Sequence, residues 1–149
     1  MRAVIQRVDH ACVIINNQKF SSIKEGILLL LGVEKEDTVA DADYILDKAV
    51  NLRIFEDEQV KMNRSLLDFG GALMVVSQFT LLGDCTKGRR PSFVKAEEPA
   101  RANELYEYFI SQAVCKVKNL ATGKFQEMMQ IELVNNGPVT ILLDSKRAF

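Results

Sequence analysis

Apolar residues in this chain fall into runs and alternations that read mostly as strands. The stretch LMVVSQFTLL, Leu73–Leu82, begins as a continuous apolar run, partly β-branched and preceded by Gly70-Gly71, then turns polar on a two-residue period. That pattern predicts a buried strand with Ser77, Phe79 and Leu81 facing one way and Gln78 and Thr80 the other. Leucine-rich Gly26–Val33 predicts a second buried strand. Arg2–Asp9 alternates, with Ala3, Ile5 and Arg7 on one side and Val4, Gln6 and Val8 on the other; Ala11–Ile15 stays extended as far as Asn16-Asn17, a turn pair, and Lys19–Ser22 returns as a short strand. Arg53–Phe55 reads as a brief strand, and Glu56–Gly71 as loop. Towards the end, Phe125–Val134 predicts a strand with Met129, Ile131 and Leu133 on one face, Asn135–Pro138 interrupts it, and Val139–Leu143 resumes.

Two segments carry helical spacing instead. Thr38–Asn51 has an apolar stripe at Ala42, Ile45, Leu46, Ala49 and Val50 behind a cap at Asp37 or Thr38. Pro99 opens a second helix running to about Cys115, with Leu105, Tyr108, Phe109 and Val114 expected on its buried face. The result is an α+β fold, mostly strands with two main helices. With no repeat, low-complexity tract or linker, it forms a single domain over residues 1–149.

Composition narrows the function classes. A chain of 149 residues, 48% hydrophobic, can bury roughly 70% of its unfolded surface. A formal charge of −1 supplies no global attraction to nucleic acid or anionic lipid, so any polyanion must meet a local basic patch. The longest apolar run, Ile27–Leu31, is too short for a bilayer, and MRAVIQRVDH lacks the apolar core of a secretory signal. Cys12, Cys85 and Cys115 fit neither a disulfide framework nor zinc spacing. A cytoplasmic protein without metal or cofactor is the expectation.

Three places could carry chemistry. Ser77, Gln78 and Thr80 enter an otherwise apolar strand, either as cross-strand hydrogen-bonders where it emerges or as groups delivered to a pocket. The loop GDCTKGRRPSF concentrates charge at Lys87, Arg89 and Arg90, which suits either a solvated surface or a phosphate contact. Asn136-Gly137-Pro138 reads as a hairpin turn, or as a backbone element built for close approach, since glycine reaches angles other residues avoid.

The ordered set MRAVIQRV, KMNRSLLD, VSQFTL, KGRRPSF, TGKF with Met129, and NNGPVT resembles the D-aminoacyl-tRNA deacylases, also called D-tyrosyl-tRNA deacylases, over essentially the whole chain. The resemblance implies a homodimer of compact β-barrel-like subunits flanked by helices. It implies hydrolysis of the ester joining a D-amino acid, or glycine, to tRNA. The aminoacylated 3′ end of tRNA is the expected partner; DNA and membranes are not. Ser77, Gln78, Phe79 and Thr80 match the family's pocket strand. Gly137-Pro138 matches a cis pair reaching into the partner's pocket, where its carbonyls reject L-amino acids, and Arg7 matches the arginine holding those carbonyls. Phe125, Met129, Asn136, Val139 and Thr140 complete the implied substrate contacts, with Lys87, Arg89 and Arg90 towards the tRNA backbone. Two departures stand out. Gln126 and Glu127 occur in GKFQEMM where the family usually has Gly-Ala, and Asn136 stands where it usually has Asp.

The residues themselves argue for a sparing mechanism. A Thr nucleophile needs a base within reach, and the only histidine, His10, ends the first strand. No Ser-His-Asp or Cys-His arrangement is legible. That shortage favours substrate assistance, in which the terminal ribose 2′-OH activates water while backbone N–H groups around Phe79 and Thr80 hold the oxyanion. A non-catalytic homodimeric nucleic-acid-binding module on the same fold is the alternative.

Overall fold

The computed structural model describes residues 1–149. Its longest strands come from the two ends of the chain. β1 (Arg2–Ile15) pairs on one side with β2 (Gln18–Ile23) and β3 (Gly26–Gly32), and on the other with β8 (Gln130–Asp144), all antiparallel. β6 (Ala72–Ser77) then lies parallel to β3, and β7 (Leu120–Thr122) parallel to β6. The sheet curls until the Ser21 hydroxyl on β2 donates to the Thr122 carbonyl on β7 at 2.7 Å, leaving a nearly closed barrel. A small hairpin of β4 (Phe55–Glu56) and β5 (Met62–Arg64) and the one-turn α2 (Leu66–Phe69) fill the segment expected as loop.

The apolar pattern explains these placements. β3 and β6 are covered on both faces, which is why they read as unbroken runs rather than alternations. Ile27, Leu29, Leu31, Leu73 and Val75 face the helices, whereas Leu28, Met74 and Val76 face a second core with Val8, Ala11 and Val13. α1 (Val39–Asn51) buries the five stripe residues anticipated, and Thr38 caps it in a reciprocal box with Asp41. The last strand is divided between the same two cores, since Ile131 and Leu133 in its first half pack against the second while Val139, Ile141 and Leu143 in its other half pack against the first.

Three expectations are corrected. The central strand stops at Ser77, and Phe79–Leu82 forms a 3-10 turn, so the side-to-side alternation of Ser77 through Leu81 does not hold. Its partner β3 ends at Gly32, leaving no ladder to extend beyond the last parallel bond, Gln78 N–H to the Leu31 carbonyl at 2.7 Å. Leu82 instead folds back against Gly32, where a Cβ would meet its Cδ2 at 2.6 Å. Secondly, α3 (Pro99–Lys116) buries Leu105, Tyr106, Phe109 and Ala113. Val114 is exposed, and Tyr108 is only partly buried, reaching the Asp43 carboxylate with its hydroxyl at 3.0 Å. Thirdly, Phe125–Met129 is turn rather than strand, and Asn135–Pro138 is no hairpin. β8 runs straight on because β1 is long enough to partner both halves, pairing Val8 with Asn135 and Gln6 with Thr140. Residues 136–139 therefore bulge outwards opposite the single residue Arg7.

At the closed end of the sheet, the terminal ammonium of Met1 donates to the buried Asp37 carboxylate at 2.7 Å and to Ser145 Oγ at 2.7 Å. Burial pushes the Asp37 carboxyl above its ordinary range, against the pull of that ammonium, the Glu34 amide and Lys146. No helix is long and apolar enough to cross a membrane.

Candidate active site

Where β6 gives way to the 3-10 turn, the chain opens a cavity of about 540 Å³. Ser77, Gln78 and Phe79 form one wall; Phe125 and Met129 form the opposite side, with Pro99 at the start of α3 closing an end. Five residues expected in the pocket are thus brought together, although Thr80 does not line it. The Thr80 hydroxyl accepts a hydrogen bond from Gln78 Nε2, which orients the Gln78 amide from outside. In a short turn of this kind the leading amides have no carbonyl within the turn to donate to, which leaves the N–H groups around Phe79 and Thr80 available.

The opposite side is held by the backbone. Gly123 sits so close that a Cβ would meet Met129 Sδ at 2.8 Å, and the Lys124 amide donates to that sulfur at 3.3 Å. The Gly123 amide in turn donates to the Val75 carbonyl at 2.9 Å, fixing this turn to β6. Tyr106, missed in favour of Tyr108, donates its hydroxyl to the same Val75 carbonyl at 2.9 Å and tilts its ring against Phe125, centroids 5.9 Å apart. Burial pushes the Tyr106 phenol well above its ordinary range, so it remains a donor at any physiological pH. The helical spacing Ala102, Tyr106, Phe109, Ala113 carried the signal for it.

The departures in GKFQEMM also fall here. Gln126, at φ +62°, and Glu127 both line the cavity, and Glu127 pairs with Lys124 at 3.0 Å. Glu97, not anticipated, lines it as well; Glu97 and Glu127 are its only ionisable lining residues.

Gly137 and Pro138 lie elsewhere. Both are exposed on the β8 bulge, and the peptide between them is cis. Buried Arg7 anchors the bulge from beneath: Nη1 donates to the Ile54 carbonyl at 2.6 Å, Nη2 to Asn136 Oδ1 at 3.0 Å, and Nε to the Asn136 carbonyl at 3.3 Å. Asn136 Nδ2 donates to the Asp9 carboxylate. The amide at 136 thus serves an arginine with its oxygen and an aspartate with its nitrogen, which a carboxylate could not do. Val139 is partly buried beneath the bulge, and Thr140 resumes the ladder opposite Gln6. Arg7 and Asn136 edge a separate cavity of about 170 Å³ that shares no lining residue with the larger one. The Lys87, Arg89 and Arg90 loop is exposed and lines neither cavity.

A barrel-like α+β domain with a largely apolar pocket walled on one side by the polar strand end Ser77 to Phe79 fits the class of small hydrolases. A family model described as D-Tyr-tRNA(Tyr) deacylase matches residues 4–144, and the chain belongs to that family of hydrolases. It is 60% identical to a D-aminoacyl-tRNA deacylase of Syntrophus aciditrophicus and 54% identical to one of Clostridioides difficile, each over the full length of both chains. Among solved structures it matches a c-Myc DNA unwinding element binding protein at TM-score 0.92 and 38% identity, over 97% of this chain and 98% of the other. A probable eukaryotic D-amino acid tRNA deacylase shares the fold at TM-score 0.80 and 16% identity, over 95% and 97%.

Proposed function

We propose that this chain is a D-aminoacyl-tRNA deacylase, hydrolysing the ester between a D-amino acid or glycine and tRNA and sparing L-aminoacyl-tRNA, and that it works as a homodimer. The observation that carries the reading is the separation of two half-sites: the Ser77–Phe79 pocket wall and the exposed Gly137-Pro138 bulge share no cavity within one chain. Each half makes sense if a second copy presents its bulge to this pocket. Main-chain carbonyls delivered there would read the substituents on Cα and ignore the side chain, giving chiral rather than side-chain specificity.

In this mechanism water, activated by the terminal ribose 2′-OH, adds to the ester carbonyl. N–H groups around Phe79 and Thr80 hold the developing oxyanion, the bond to the 3′ oxygen breaks, and that oxygen takes up a proton. Two observations favour the RNA over a protein nucleophile: no histidine lines the pocket, and the Thr80 hydroxyl is engaged by Gln78 outside it. A non-catalytic nucleic-acid-binding module is the second reading, favoured by the description of the 38%-identical structural relative as a DNA-binding protein.

Single-turnover deacylation of D-Tyr-, L-Tyr- and Gly-tRNA, each ending in adenosine or 2′-deoxyadenosine, tests all of this. The D and glycyl esters should be cleaved and the L ester spared; deoxy-terminated substrate should bind without turnover, and Thr80→Ala should keep most of its activity. Binding without any cleavage would favour the second reading. Normal cleavage of the deoxy substrate with a dead Thr80→Ala would make Thr80 the nucleophile. Light scattering that finds a fully active monomer would sink the composite site.

A further inference from the structure

Phe93 has no role in the site described above, yet it stands at its mouth. The basic loop has a narrow neck, closed by the Asp84 amide donating to the Ser92 carbonyl at 2.8 Å and the Ser92 amide to the Asp84 carbonyl at 2.9 Å. The Asp84 carboxylate accepts from the Thr86 amide and hydroxyl, and Gly88, at φ +82°, turns the tip. Phe93 follows directly on the neck. Its ring packs against the backbone at Gly83, where a Cβ would come within 3.1 Å, and meets Phe79 edge to face at 5.1 Å and 66°. The two rings remain 36% and 55% exposed respectively. Phe79 also lines the 540 Å³ cavity. Contacts therefore link the pocket wall at Phe79 to Phe93, and Phe93 adjoins the neck of the loop that carries the exposed cations Lys87, Arg89 and Arg90.

An unpaired RNA end presents matching groups: flat bases that stack on aromatic rings, strung on phosphates that attract Arg and Lys. Resting on the tRNA reading above, we propose that Phe93 is a base-stacking residue. It takes the nucleotide that precedes the terminal adenosine, while the terminal nucleotide enters the pocket beside Phe79 and the loop cations meet the phosphates further back. Phe93 then acts on binding of the RNA end rather than on the chemical step.

The test compares two substrates, D-Tyr-tRNA and the 3′-D-tyrosyl ester of adenosine, which lacks the preceding base. Phe93→Leu keeps an apolar side chain against Gly83 but loses the flat ring. It should raise KM for the tRNA on the order of tenfold, leave kcat nearly unchanged, and leave the adenosine ester unaffected; Phe93→Tyr should restore the tRNA KM. An equal loss on both substrates would reduce Phe93 to a support for Phe79, and no loss on either would remove it from the binding path; both outcomes overturn the proposal. A wild-type chain inert towards D-Tyr-tRNA would sink the hydrolase reading instead. Stacking is then decided by fluorescence of uncharged tRNA carrying 2-aminopurine next to the terminal adenosine. Quenching by wild type that Phe93→Leu loses supports the proposal, and equal or absent quenching overturns it.

Discussion

At the scale of single residues, the bulge on β8 is the place where one side chain decides most. Gly137 sits at φ +114°, and a Cβ there would lie 2.7 Å from Arg7 Nη2 and 2.9 Å from Val139 Cγ2. Arg7 cannot yield easily, because it is buried and its guanidinium is tied to Ile54 and Asn136. We therefore expect Gly137→Ala to cost roughly 1–3 kcal/mol and to degrade D/L discrimination, because the bulge must move to clear Arg7. Urea unfolding together with the D/L deacylation ratio checks this; a variant unchanged in both would show that neither φ nor the close approach matters. Much of this residue-level detail was visible in the sequence. Ser77, Gln78 and Thr80 stood out as polar groups leaving an apolar strand and Gly137-Pro138 as a special backbone element, but residue type left each with two readings, and only the family resemblance tied them to a pocket. Glu97 and Phe93 did not stand out, since nothing local marks an acid before a helix as facing a cavity or an aromatic after a loop as packing on Phe79. Tyr106 was missed through a phase error of two positions along α3. That is an easy slip where Tyr108 is also apolar enough to sit on the flank of the stripe.

At the scale of elements, the strands were more legible than their ends. β3 and β6 declared themselves by runs that only a doubly covered parallel pair needs. What local pattern could not reveal was that β6 loses its partner after Leu31 and that β8 keeps its partner across the bulge; both depend on the length of a distant strand. The basic loop is the element with the clearest functional forecast. Its Lys87, Arg89 and Arg90 are exposed and anchored only through the Asp84–Ser92 neck and Phe93. Replacing all three with Ala should raise KM for tRNA at low ionic strength and flatten its dependence on salt, because three potential phosphate contacts and their released counterions are lost. Stability should hardly change, since exposed charges away from packed features seldom matter by more than about 0.5 kcal/mol. Wild-type kinetics at low salt would assign the loop to ordinary solvated surface.

At the scale of the whole molecule, β1 is the axis: it pairs with Gly32 and Asp144 through the same residue, Arg2, so the first and last strands of the chain lie side by side. This arrangement fixes a timetable. While the chain is being synthesised, β1 can pair with β2 and β3 almost at once, but its other edge must wait until nearly the entire sequence has emerged. Until then an apolar strand is open to pairing with the wrong neighbour, and closing contacts across almost the full chain length is entropically slow. Refolding should accordingly show early protection of β1 and β3 amides from hydrogen exchange and late protection of β8, the strand that carries Gly137-Pro138. Simultaneous protection of all three strands would contradict this order. The bulge that gives the molecule its proposed selectivity would thus be among the last parts to form, so a nascent chain would acquire the Ser77–Phe79 wall of its pocket before it acquired the means to choose what enters.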